Sequence, residues 1–111
     1  MIFLNEQNFL QETKQGLVLL DFFANWCIPC RIMEKNLKHL EERIVDQKIR
    51  FYKIDIDKEK TLADSWKIIH LPSIVVLKDG IEIGRFEGCK SGGETGRTVM
   101  EWLVLSRFDS D

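Results

Sequence analysis

Apolar and polar positions follow two rhythms along this chain, and the switches between them mark its elements. From Leu17 the run LVLLDFFA is apolar except for Asp21 and has the length of a strand. Unbroken runs of this kind suit a central strand covered on both faces. Cys30, Met33, Leu37, Leu40 and Ile44 then recur at spacings of three and four, with Glu34, Lys35, Lys38, Glu41 and Glu42 on the other side. That period predicts a long amphipathic helix starting at WCIPCR, residues 26–31. RFYKIDID, residues 50–57, alternates like a strand. Strand, helix and strand together form a βαβ unit with a parallel pair.

The flanking segments complete the scaffold. Asn5 reads as the N-cap of a helix running through EQNFLQETK to Gly16, and KEKTLADSWKII, residues 58–69, as a shorter one. SIVVLK and IEIGRFE flank Asp79 and Gly80, a two-residue hairpin signal, and ETGRTVMEWLVLS, residues 94–106, closes the chain as a helix. The predicted class is α/β, one domain over residues 1–111, with a single mixed sheet of about four to five strands and helices on both faces. A chain of this length buries a substantial core without disulfides as props.

Charge removes some functions. The net charge of −2 gives no bulk attraction for nucleic acid or anionic lipid. The opening MIFLNEQ lacks the basic lead-in of a signal peptide, and no stretch approaches membrane-spanning length, so the expectation is a soluble, cytoplasmic protein. Three cysteines, an odd number, argue against a disulfide framework and for catalysis or metal binding. The closely spaced pair Cys27 and Cys30 by itself fits a metal site, a staple or a redox couple.

Context decides among these. VLLDFFANWCIPCR followed by KIDID, then HLPS, the KDG hairpin and Gly88, resembles the thioredoxin family over nearly the whole chain. The resemblance implies the thioredoxin fold and a thiol-disulfide oxidoreductase that reduces disulfides of client proteins. It implies no cofactor beyond a redox-active Cys27–Cys30 disulfide, a thioredoxin reductase as electron donor, and a monomer that binds neither nucleic acid nor membrane. Disulfide exchange needs one thiol ionised near neutral pH and a second close enough to resolve the mixed disulfide. Cys27 falls at the helix start, where unpaired N–H groups and the dipole favour an anion, so it is the expected nucleophile and is expected to be exposed. Cys30, one turn on, is the expected buried resolving thiol. Pro29 sits where a helix has no N–H partner to lose, and Arg31 adds positive charge.

The resemblance also assigns supporting roles. Asp21 sits behind Cys30 and helps deprotonate it, Lys53 on the neighbouring strand approaches Asp21, and the Leu71–Pro72 bond is cis. Pro72 then packs against the cysteine pair, the Leu71 backbone pairs with an extended substrate segment, and Trp26, Ile28, Pro29 and Gly88 border the same surface. Ile28 replaces a glycine common in the family, which leaves the reduction potential open, and Phe23 stands where tryptophan is frequent. Cys89, after Gly88, reads either as a modulatory thiol beside the site or as a small half-buried residue.

Two other readings are weak. SGGETGRT, residues 91–98, has the outline of a phosphate loop but lacks its first glycine and its lysine; read as a capping box, Ser91 with Glu94 starts the last helix. A Cys₃His zinc site from Cys27, Cys30, Cys89 and His39 or His70 lacks two closely spaced ligand pairs, so no metal is expected. The alternative function is an interaction module that holds a client through Trp26, Ile28, Leu71 and Pro72, with redox chemistry secondary.

Overall fold

The computed structural model describes residues 1–108. Its strands are β1 (Ile2–Phe3), β2 (Leu17–Phe23), β3 (Ile49–Asp55), β4 (Ser73–Lys78) and β5 (Ile81–Glu87), and its helices α1 (Phe9–Thr13), α2 (Ile28–Arg43), α3 (Lys60–Ser65) and α4 (Gly92–Ser106). The five strands form one mixed sheet in the order β1-β3-β2-β4-β5. β2 pairs in parallel with β3 and antiparallel with β4, so the apolar run from Leu17 is central. The period of two then sorts its side chains. Val18, Leu20 and Phe22 join Phe9, Leu62 and partly buried Trp66 on one face, whereas Leu19 joins Met33, Leu37, Leu40, Val99 and Leu103 on the other. Asp21 has the parity of Leu19, which turns it toward the α2 side.

The elements match the predicted order, with shifted boundaries and two short additions, β1 and a 3₁₀ turn at Val45–Gln47. α1 begins at Phe9 rather than just after Asn5. The reason is local: Asn5 and Asn8 bond reciprocally, each side-chain oxygen accepting the other's backbone N–H at 2.9 Å, so the predicted cap closes a turn instead. α3 stops at Ser65, four residues short of Ile69, and Lys67 follows in the left-handed region at φ 55°. That reversal frees Ile68 to pack against the core while Ile69 projects into solvent. β1 was not anticipated, being only two residues long and held in parallel to Tyr52 and Lys53 of β3. At the hairpin Asp79 and Gly80 both adopt positive φ, 51° and 82°, as a two-residue turn between twisted strands requires. Ser91 caps α4 by accepting the Glu94 N–H at 3.1 Å, the contact expected from the capping-box reading.

Candidate active site

The site forms where β2 ends and α2 begins. After Phe23 the chain turns through Ala24, Asn25 and Trp26, with the Cys27 N–H donating to the Ala24 carbonyl at 3.1 Å. Cys27 is then the N-cap of α2, with extended backbone, and its Sγ accepts the backbone N–H of Cys30 at 3.3 Å. A sulfur in that position faces the unpaired donors of the first turn, which stabilise a thiolate and lower a thiol pKa. Pro29 occupies the first turn, where no N–H partner is lost. Arg31 donates to the Asn25 carbonyl at 2.9 Å and so ties the helix start to the preceding loop.

Cys27 and Cys30 are joined as a disulfide with their Cα atoms 5.3 Å apart. The expected contrast between an open Cys27 and a shielded Cys30 is nearly lost in this state: they are 6% and 3% exposed. Ala24 and the partly buried Phe23, Ile56 and Leu71 pack against the pair.

On one side of the pair lies an open groove of about 560 Å³, lined by Trp26, Cys27, Ile28, Pro29, Ile56, Ile68, Ile69, His70 and Leu71. Trp26 and Ile28 are each 67% exposed and Ile69 is 78% exposed, so its rim is apolar and wet. The Trp26 indole is held by its Nε1–H, which donates to Asp57 at 2.9 Å. The Leu71–Pro72 bond is cis, as the resemblance implies. Pro72 itself is buried, and its carbonyl accepts the Gly88 N–H at 2.8 Å, which draws the end of β5 beside this loop. Gly88 reaches that geometry at φ 82°, a conformation that favours glycine.

On the other side a cavity of about 500 Å³ is lined by Phe3, Asp21, Phe23, Ala24, Asn25, Cys30, Arg31, Glu34 and Lys53. Asp21 is 1% exposed, and among the described residues its Oδ1 is the only fully enclosed side-chain polar atom without a hydrogen-bond partner. Burial pushes its pKa up to about 7, reinforced by the Glu34 carboxylate and opposed by Lys53. Lys53 is the cross-strand neighbour of Asp21, yet its Nζ bonds to Glu34 Oε1 at 2.7 Å. The hydrogen bond from Lys53 in turn holds the Glu34 carboxyl below its usual value.

Several residues of this site escaped the sequence reading. Glu34 had a usable signal: although it belongs to the polar side of α2, it follows Cys30 by four and so lies beside it one turn on. Phe3 had none, because a two-residue strand carries no period. Cys89 is exposed, with its Sγ 3.8 Å from the Lys90 carbonyl, which removes the half-buried alternative. His70 and His39 are both exposed, His70 lying 3.7 Å from Glu87, and no three metal-ligating side chains cluster among the described residues.

The family model for Thioredoxin matches residues 1–100. The chain belongs to the thioredoxin family. Among its curated relatives, the thioredoxin of Bacillus subtilis is 39% identical over 75 residues, covering 68% of this chain and 71% of that one. The thioredoxin of Chlamydia trachomatis is 34% identical over 86 residues, covering 78% and 82%. The X-ray structure of Fasciola hepatica thioredoxin superposes with a TM-score of 0.78 at 30% identity, covering 91% of this chain and 98% of that chain. The chain is therefore a dithiol-disulfide oxidoreductase, a protein-disulfide reductase built on the single mixed sheet that its pattern predicts, with the short β1 as its fifth strand. No helix among its described residues is long and apolar enough to cross a membrane.

Proposed function

We propose that Cys27 attacks and Cys30 resolves in the reduction of client-protein disulfides, with Asp21 as proton partner. The observation that carries this reading is the asymmetry of the pair: Cys27 caps α2 and lines the open groove, while Cys30 lines the cavity that holds Asp21. In the reduced protein the Cys27 thiolate attacks one client sulfur and expels the other as a thiolate, leaving a mixed disulfide. Cys30 then loses its proton to Asp21, attacks the Cys27 sulfur and releases the second client sulfur. The client gains two electrons and, from solvent or Asp21, its protons; the protein is left with the Cys27–Cys30 disulfide.

Trp26, Ile28, Pro29 and Leu71 form the client surface, with Pro72 and Gly88 shaping the loop behind it and the Leu71 backbone available to pair with an extended segment. Lys53 acts on Asp21 only at a distance in this reading, since its ion pair is with Glu34. The protein works as a single-domain cytoplasmic monomer, with no cofactor besides its own cysteines, and is returned to the dithiol by a thioredoxin reductase.

The test is a trapping experiment. Cys30→Ser accumulates covalent client complexes through Cys27, Cys27→Ser accumulates almost none, and added thiol restores the free chain. Equal trapping by the two variants, seen by mass spectrometry, would overturn the roles. Replacing both cysteines by serine separates catalysis from client holding: loss of cellular function supports the enzyme, and full retention supports the module.

A further inference from the structure

The charges that face Asp21 come from two elements. Cys30, Arg31 and Glu34 reach its cavity from α2 and Lys53 from β3, whereas β1 offers only Phe3 and β4 places Ile74 beside it in register. Arg31 is committed to the Asn25 carbonyl. Lys53, one strand away in direct register, is the obvious partner for a buried carboxylate. The structure shows another pairing. Lys53 Nζ lies 2.7 Å from Glu34 Oε1 and 4.5 Å from the centroid of the Phe3 ring, with the Phe23 ring 5.8 Å away. The carboxylate and two aromatic faces thus hold the ammonium where it is partly solvated. Asp21 Oδ1 meanwhile stays enclosed and unpartnered.

An ion pair at Asp21 would have required both charges to leave water, whereas Glu34 keeps its carboxylate partly wet and so binds the ammonium at less desolvation cost. Glu34 also sits one turn beyond Cys30, so the same helix carries the resolving thiol and the group that competes for Lys53.

We propose that Glu34 is a positioning residue of the redox site: by holding the Lys53 ammonium away from Asp21, it leaves the Asp21 carboxyl able to exchange a proton with Cys30. This rests on Asp21 being the proton partner. Glu34 itself transfers nothing; the single proton moves between Cys30 Sγ and the Asp21 carboxyl as Cys30 attacks Cys27. Without Glu34, Lys53 turns to Asp21 and locks it as a paired carboxylate, a poorer proton acceptor.

Titration of the Asp21 carboxyl carbon by NMR in the oxidised full chain tests this without any client. Glu34→Gln lowers the midpoint by about 1–3 pH units, the effect of a newly paired opposite charge. Glu34→Ala, which keeps helix propensity, lowers it equally. In a Lys53→Met background the drop caused by Glu34→Gln is at least halved, since only the loss of the Glu34 charge remains. The resolving rate of Glu34→Gln also loses its rise across neutral pH. An unmoved midpoint, or an equal drop in both backgrounds, would overturn the proposal and leave Glu34 a structural or purely electrostatic group. The full shift with an unchanged rate profile would overturn the assignment of Asp21 on which it rests, so the two failures are read separately.

Discussion

Replacing Asp21 with asparagine separates the charge of this residue from its shape. The folded protein holds the Asp21 proton up to about pH 7, chiefly through desolvation, against an ordinary value of 3.8. Between those values the native state carries a proton that the unfolded chain has released. Stability is therefore full below the unfolded value and falls as pH rises, by about 1.4 kcal/mol per pH unit. The accumulated loss above neutral pH is on the order of 4 kcal/mol. Asparagine does not titrate, so the stability of Asp21→Asn relative to wild type stays level in acid, climbs through this window and levels off above it. An unmade amide hydrogen bond costs about 1–3 kcal/mol but shifts the curve without changing its shape. Urea unfolding of both oxidised proteins at several pH values from acid to mildly alkaline measures the difference. A pH-independent difference, or one that grows toward acid, would refute the reasoning by showing that folding does not disfavour the carboxylate. The same variant slows the resolving step at neutral pH, and wild-type speed in stopped-flow reduction of a protein disulfide would sink the proton role.

Two further outcomes follow from single positions. Cys89 is exposed and unpaired in disulfide terms, so oxidised wild type forms intermolecular disulfides that Cys89→Ser does not, and identical monomer fractions on a non-reducing gel would count against this. A Cβ at Gly84 of β5 would overlap the Trp102 ring, so Gly84→Ala destabilises by about 1–3 kcal/mol through overpacking, read as a lower urea midpoint; an unchanged midpoint would mean that the ring moves aside freely.

The fold was legible wherever one rhythm ran long enough to exclude the other. The seven residues of β2 and the sixteen of α2 lie close to their predicted places, because each repeats its pattern across many positions. Short pieces were misjudged for the opposite reason. The two residues of β1 hold no period, and the first turn of α1 was lost to a local pairing of Asn5 with Asn8 that no periodicity reveals. The early end of α3 depends on the left-handed Lys67, a residue type that carries no turn signal.

Within the site, legibility divides along the same physical line. Cys27, Cys30 and Pro29 could be placed from spacing alone, because the geometry of a helix start fixes what each faces. Asp21 was visible as the one charge in an apolar strand, and its burial made it costly enough to demand an explanation. The partner of Lys53 was not visible, since the register that sets Lys53 beside Asp21 is silent on where a flexible ammonium goes. That choice depends on competing solvation: Glu34 lies on a helix surface that the pattern marked as polar, and half-exposed carboxylates bind an ammonium with less desolvation than enclosed ones. A charge pattern read as a solvated face therefore also supplied the group that leaves Asp21 unpaired, and the chemistry of the cavity depends on a residue whose sequence signature is that of an ordinary surface glutamate.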